Sequence, residues 1–364
     1  MRQFPRLPSR EAGTGRLRLL RYLALPLVIL AAVWPSLALA NPPRPNWDPG
    51  DPYAPVTQPH SGEMLEISHL FWVVLILGGI ILIGVVAAIV ISIVRYSHTH
   101  GDTHEPPQVF GDRRIEILWT VIPTVILLVA FVATVKAMAD INNPHTNKSL
   151  FDVNAIGHQW WWEFQYPQYK LETANEVHIP TGVYVHFHVT SNDVIHSFWV
   201  PQLQRQIDAN PGKDLVNSVY LIAEKPGVYD GACYEYCGVA HAWMKFREVV
   251  QTPAQFQAWV KHETAPAIKP TGEAALGQKI FLHQTCVTCH AINGTPAGGA
   301  VAPNLTHVGS RWAIASGAAP VDVADVAAWI RKPDTYKPGA LMPSYSSLSA
   351  KELHALATYI VSLK

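Results

Sequence analysis

Between positions 233 and 244 the chain gathers two thiols, an imidazole and a thioether: Cys233, Cys237, His241 and Met244. Soft sulfur donors with an imidazole select copper, and a weak methionine ligand is typical of copper electron-transfer sites. Methionine is a poor zinc ligand, which turns the pattern away from a structural zinc site. Two cysteines suffice to bridge two copper ions, but such a pair needs a second imidazole. His196, at a predicted strand end upstream, supplies one. The competing chemistry is a disulfide between Cys233 and Cys237, which an exported protein permits and which leaves His241 and Met244 without a task. The other two cysteines, Cys286 and Cys289, precede His290 in the C-x-x-C-H pattern of covalent haem attachment. In that pattern the thiols form thioethers with the haem vinyl groups, and the histidine becomes the proximal iron ligand.

Two differently built regions must position these groups. Residues 150–262 alternate apolar and polar in short runs, with turns at Pro180, at Pro211 and Gly212, and at Pro226 and Gly227. That pattern predicts an antiparallel sandwich or barrel. In the run 183–189, His186 and His188 share one strand face; with no cysteine or acidic residue near them in sequence, they are expected to be ordinary sheet residues. Residues 261–270 read as a linker. An amphipathic helix is predicted from Glu273 to Leu282, and a terminal one from the spacing of Leu353, Leu356, Ala357, Ile360 and Leu363. Met342, between Leu341 and Pro343, is the expected second axial haem ligand, and methionine/histidine ligation raises the haem potential. His307 and His354 are its competitors for that role.

The 27 basic and 27 acidic residues balance, so neither nucleic-acid binding nor an acidic disordered tail is indicated. Charged residues are 15% of the chain and apolar residues 49%, which leans toward a membrane protein. Arg16, Arg18 and Arg21, an apolar run from Tyr22 to Val33, and Ala38 to Ala40 predict an export signal over 1–40, with an uncleaved anchor as the alternative. A Pro-rich linker (41–64) follows. Leu70–Val94 and Ile117–Val135 are free of charge and long enough to span a bilayer. Arg95, Arg113 and Arg114 place the connecting loop in the cytoplasm, so the metal-binding regions lie on the exterior side. The loop histidines His98, His100 and His104 read as solvated polar residues. Neither span carries a histidine pair for a haem or a catalytic copper, so chemistry in the membrane requires a partner subunit.

The pattern C-x-E-x-C-x-x-x-H-x-x-M at Cys233, Glu235, Cys237, His241 and Met244 resembles the copper loop of the cytochrome c oxidase subunit II family. Asp193, Val194, His196 and Ser197 resemble its D-V-x-H-S motif, and Gly157 to Trp162 its aromatic stretch. Asp208 to Gly212 is similar to the segment facing the catalytic subunit, with Lys213 where the family often has arginine. Glu116, Trp119, Thr120 and Pro123 resemble its second span. The resemblance covers roughly residues 60–260. It implies a two-helix transmembrane hairpin (65–139) and an all-β, cupredoxin-like Greek-key domain (140–262) holding a dinuclear copper centre (CuA). Cys233 and Cys237 would bridge two copper ions, His196 and His241 would bind one each, and Met244 and the Glu235 carbonyl would be weak ligands. The Glu235 carboxylate would reach a magnesium ion at the interface. Trp160, otherwise a plausible sheet-core residue, would receive electrons, and Glu116 would mark a proton entrance. After a linker (263–270), residues 271–364 resemble an all-α class I cytochrome c, in which the Pro303 carbonyl accepts the ring N–H of His290. The implied function is electron input to a bacterial inner-membrane oxidase from a soluble cytochrome c or another respiratory donor. The implied partners are subunit I, bearing haem a, and subunit III, with oxygen reduced to water and protons pumped. A copper-containing nitric oxide reductase and a free-standing carrier are the alternatives.

Overall fold

The computed structural model describes residues 56–96, 108, 110–141 and 150–364. The predicted export signal, most of the Pro-rich linker and the loop histidines 98, 100 and 104 lie outside these residues. Helices α1 (Gly62–Tyr96) and α2 (Arg113–Ile141) are long and apolar enough to cross a membrane. At about 1.5 Å per residue both exceed the roughly 30 Å hydrocarbon core. Their apolar side chains, such as Ile83 and Leu127, are exposed, as lipid contact requires of a helix apolar all round. Pro123 lies inside α2, and the exposed Glu116 sits in its first turn. The first turn of α1 is tied to the β domain. Ser61 bridges to Ala223, and the Arg205 main-chain N–H and guanidinium donate to Glu63 Oε1 at 3.2 and 3.4 Å.

The β domain has ten strands: β1 (Leu150–His158), β2 (Trp161–Tyr166), β3 (Leu171–Ala174), β4 (Glu176–Pro180), β5 (Tyr184–Ser191), β6 (His196–Trp199), β7 (Ile207–Ala209), β8 (Asn217–Ile222), β9 (Gly227–Cys233) and β10 (Lys245–Gln251). They form two five-stranded sheets, β3-β2-β1-β5-β8 and β4-β10-β9-β6-β7, in a cupredoxin-like arrangement. The expected purely antiparallel pairing is corrected at two places: β1 with β5 and β4 with β10 run parallel. Side chains alternate with a period of two in either kind of pairing, so alternation carries no information about direction. The inward faces interlock through Trp162, Phe164, Phe187, Phe198 and Phe246, all fully buried. Trp162 meets Phe198 edge to face at 5.3 Å, and such aromatic pairs add about 0.5–1.5 kcal/mol each beyond burial.

Strands were expected as far as residue 262, but residues 253–263 form helix α3 (Pro253–Glu263). Thr252 and Gln255 make a capping box with proline in the first turn, a helix start that outweighs the local alternation.

Glu248 is an anomaly in the core. It points inward on β10 between Phe246 and Val250, and neither carboxylate oxygen has a hydrogen-bond partner. Burial pushes its pKa from 4.5 up to about 8. The folded state therefore holds this proton more tightly than the unfolded chain, and stability falls as pH rises from about 4.5 through about 8. At pH 7 the penalty is on the order of 3 kcal/mol. Glu248→Met should raise the thermal midpoint, and by more at pH 8 than at pH 5. A melting series giving the same gain at both pH values would rule out this cause.

The C-terminal region is mainly helical: α4 (Gly272–His283), α5 (Cys286–Cys289), a ribbon of β11 (Ala313–Ile314) and β12 (Ala319–Pro320), α6 (Val323–Arg331) and α7 (Ala350–Ser362). The predicted stripe on α7 is buried at Leu353, Leu356, Ala357 and Ile360. Helices α4 and α7 cross at Gly277, where a Cβ would lie 2.0 Å from the Ala355 carbonyl oxygen. No larger residue permits that approach.

Candidate metal centre and haem pocket

Sequence-distant segments bring the copper-type donors together. β9 ends at Cys233, the loop 234–240 returns Cys237, the single turn His241–Trp243 carries the second imidazole, and Met244 immediately precedes β10. His196 arrives from the start of β6. The two Sγ atoms are 3.8 Å apart. That is far beyond the roughly 2.05 Å of a disulfide, yet close enough for a metal about 2.3 Å from each to lie between them.

The site has two matching halves. Cys233 Sγ lies 3.8 Å from His196 Nδ1 and 3.2 Å from the Glu235 carbonyl oxygen. Cys237 Sγ lies 3.6 Å from His241 Nδ1 and 3.9 Å from Met244 Sδ. Each sulfur thus has one imidazole nitrogen and one weak donor, a set that fits a thiolate-bridged copper pair. His196, Cys233, Cys237 and Met244 are buried, while Glu235 is exposed with its carboxylate available to a neighbour.

Contact with Cys237 holds the Cys233 thiol down to about 4, while the same contact and burial push Cys237 up. Burial alone would lower the His196 pKa, but bonds to Asp193 and Cys233 outweigh it and raise it. Asp193 Oδ1 lies 2.8 Å from His196 Nε2. A carboxylate there orients the ring so that Nδ1 faces the sulfur.

Gly157 makes room for this imidazole. A Cβ at Gly157 would sit 2.6 Å from His196 Cδ2, and His196 is fully enclosed. Gly157→Ala should therefore weaken copper binding by about 10–100-fold, the usual effect of disturbing a ligand's support. Copper per haem after chelator dialysis measures it; unchanged copper retention would exclude a role for this contact.

The haem-type donors line a largely apolar cavity of about 420 Å³. Cys286, Cys289, His290 and Met342 all contribute to its wall. Pro303 oxygen lies 2.7 Å from His290 Nδ1, so that nitrogen carries the proton and Nε2 is left with a lone pair for iron. Burial lowers the His290 pKa, which favours the neutral, ligating form. Neither competing histidine lines the cavity. His307 Nε2 bonds the Ala265 carbonyl at 2.9 Å, and His354 Nδ1 pairs with Glu273 at 2.9 Å. The residues present fit a covalently attached haem c.

The two sites share a wall. Trp160 lines the haem cavity, and its Nε1 donates to the Cys237 carbonyl at 2.9 Å. Sequence reasoning missed the groups that hold this wall. Ser316 Oγ donates to the Trp160 carbonyl at 2.9 Å, and the buried Lys337 ammonium donates to the same oxygen and to Ser316 Oγ. Around them, Glu176 Oε2 accepts from Trp312 N–H at 2.6 Å, and Glu172 Oε1 accepts from Asn304 at 2.8 Å. The Arg247 guanidinium lies over the Trp312 ring at 4.0 Å. None of these residues forms a recognisable motif, so only the packed structure exposes them.

His186 and His188 lie on β5, as expected of sheet residues, and the structure adds an acidic neighbour that is distant in sequence. Asp152 on the neighbouring strand contacts both rings.

Comparison with known proteins is consistent across the chain. Residues 55–136 match the transmembrane domain of cytochrome c oxidase subunit II, residues 168–252 its periplasmic domain, and residues 274–364 cytochrome c. Cytochrome c oxidase subunit 2 of Alkalihalophilus pseudofirmus is 36% identical over 295 residues, spanning 80% of this chain and 85% of that one. The protein of the same name from Bacillus subtilis is 33% identical over 293 residues, or 75% and 81% of the two chains. The crystal structure of the periplasmic domain of cytochrome oxidase subunit II from Bradyrhizobium japonicum aligns with a TM-score of 0.30 and 32% identity, over 31% of this chain and 92% of that one.

Proposed function

This chain belongs to the cytochrome c oxidase subunit II family, and from that premise we propose that it is the electron-input subunit of an oxygen-reducing complex, with its own haem c domain as immediate donor to the copper pair. It is an electron-transfer subunit of a haem–copper oxidase, anchored by two spans with its cofactor domains on the periplasmic side. The observation that carries the proposal is Trp160, whose ring borders the haem cavity while its indole N–H holds the copper loop.

Bound haem c and the copper pair supply one-electron redox chemistry. The chain does the rest. Cys286, Cys289, His290 and Met342 would hold the haem, with the Pro303 carbonyl orienting the His290 ring. Cys233, Cys237, His196, His241, Met244 and the Glu235 carbonyl would hold the copper ions. Buried, hydrogen-bonded loops limit rearrangement of these ligands when charge changes. Covalent tethering replaces a diffusing donor by one at an effective concentration in the millimolar range.

The resemblance to the family supports the remaining assignments of this reading. Subunit I, bearing haem a, would be the electron acceptor, and subunit III would complete the complex. A soluble cytochrome c or another respiratory donor reduces the tethered haem. The exposed Glu235 carboxylate and the segment 208–212 face subunit I, with magnesium at Glu235, and Glu116 marks a proton entrance. The functional division runs 65–139 for the anchor, 140–262 for copper and 271–364 for haem.

Purification in mild detergent tests the reading. The chain should bring with it a haem a-containing partner that consumes oxygen when reduced cytochrome c is supplied. A partner that reduces nitric oxide and not oxygen would redirect the assignment to a nitric oxide reductase. A chain recovered alone, with full copper and haem but no partner, would identify a free carrier instead.

A further inference from the structure

A second set of metal-binding side chains lies on the outer face of the sheet, built by a strand pairing that the copper centre does not use. β1 and β5 run parallel in a register that sets Asp152 beside His186 and Asn154 beside His188. On β5, Val185, Phe187 and Val189 fill the core, so His186 and His188 project from the opposite face. Both imidazoles converge on a single carboxylate oxygen. Asp152 Oδ1 is 3.1 Å from His186 Nδ1 and 3.0 Å from His188 Nε2. All three donor atoms lie within 4.8 Å of one another.

Two neighbours fix the His186 ring. Ser218 Oγ on β8 lies 3.0 Å from His186 Nε2, the nitrogen that points away from Asp152. Tyr220 stacks on the same ring at 4.3 Å and 13°. A hydrogen bond to the outer nitrogen of an imidazole sets its tautomer and its orientation toward a metal. When Nε2–H donates to Ser218, His186 Nδ1 presents a lone pair to the carboxylate, an arrangement that a shared cation relieves.

We propose that Asp152, His186 and His188 form a mononuclear site for a zinc-class divalent cation, separate from the copper pair and completed by water. Donors about 2.0–2.1 Å from a tetrahedral zinc lie roughly 3.3 Å apart, close to the nitrogen–oxygen spacings already present. Two imidazoles and a carboxylate without sulfur disfavour Cu(I) and suit zinc. Access is open, since the Asp152 and His188 side chains are 44% and 35% exposed. That leaves room for the ion to enter and for solvent in the fourth position. A bound ion would pin β1 to β5 in the strand that leads on to Gly157 and Trp160.

The test uses the intact, copper- and haem-loaded complex in detergent, with zinc ion as probe. Equilibrium dialysis with metal counting compares the wild-type complex with Asp152→Asn and His188→Gln, two variants on the solvent face. Wild type should hold one zinc more than either variant, with affinity at the site weakened at least about tenfold in each. Copper and haem absorption should be unchanged. Equal zinc stoichiometry and affinity in all three would overturn the proposal. Zinc-edge X-ray absorption of the wild type gives a readout independent of the variants. A nitrogen/oxygen shell with two imidazoles supports the site; a sulfur-containing shell, or one without imidazole, overturns it.

Discussion

Cys237→Ser should leave the haem domain loaded and reducible while stopping electrons from passing beyond it. Cys237 Sγ touches three of the other donors: Cys233 Sγ at 3.8 Å, His241 Nδ1 at 3.6 Å and Met244 Sδ at 3.9 Å. Serine keeps the shape of the side chain but not the chemistry. Its hydroxyl is hard and protonated at neutral pH, whereas the site needs a soft anionic bridge. With one bridge missing, the two halves lose their common ligand, and at most one copper remains per chain. Oxygen consumption supported by reduced cytochrome c should fall by at least about 100-fold, since even supporting residues cost 10–100-fold. In stopped-flow absorbance the haem c should reduce at its normal rate and then stay reduced. Haem content is the control, because the cavity carrying Cys286, Cys289 and His290 does not include Cys237. Retention of two coppers with unaltered spectra would refute the bridged arrangement.

Breaking the contact between the haem and copper regions should produce the second large effect, with both cofactor sites intact. Arg311 is half-buried near carboxylates of the copper domain. Desolvation pulls its pKa down, and the charges of Glu263, Glu176 and Glu172 oppose that loss. Glu176 also accepts from Trp312 N–H. Glu176→Lys removes that acceptor and adds a cation near Arg311 and Arg247. Losing this hydrogen-bond acceptor and placing a like charge beside two arginines weakens the docking of the haem region. Electron transfer from haem c to copper, followed after flash reduction, should slow by at least about tenfold, a factor equal to about 1.4 kcal/mol. Glu176→Gln, which keeps an acceptor oxygen, should lose less. Unchanged transfer in Glu176→Lys, with haem and copper at full content, would show that docking does not depend on this cluster.

Neither experiment could have been designed from the same part of the sequence. The donor set of the copper loop was legible because Cys233, Glu235, Cys237, His241 and Met244 lie within one short segment, and local spacing limits what such residues can bind. The C-x-x-C-H group and the two uncharged runs were legible for the same reason. The amphipathic stripe on α7 could be read because helical periodicity is a local property. Helix α3 was misread where proline and a capping box interrupt an otherwise alternating segment.

By itself, then, the sequence determined which cofactors the chain holds, which stretches span the membrane and how many structural regions follow, since each depends on residues close together along the chain. Tertiary structure alone decided what faces what. It set the parallel pairing of β1 with β5, the approach of Asp152 to two histidines 34 and 36 positions away, the buried Glu248, and the Lys337 and Ser316 contacts that hold Trp160 between the two sites. Such contacts depend on strand order and the path of the loops. Those are settled only when the whole core closes, and alternation of side chains is blind to both.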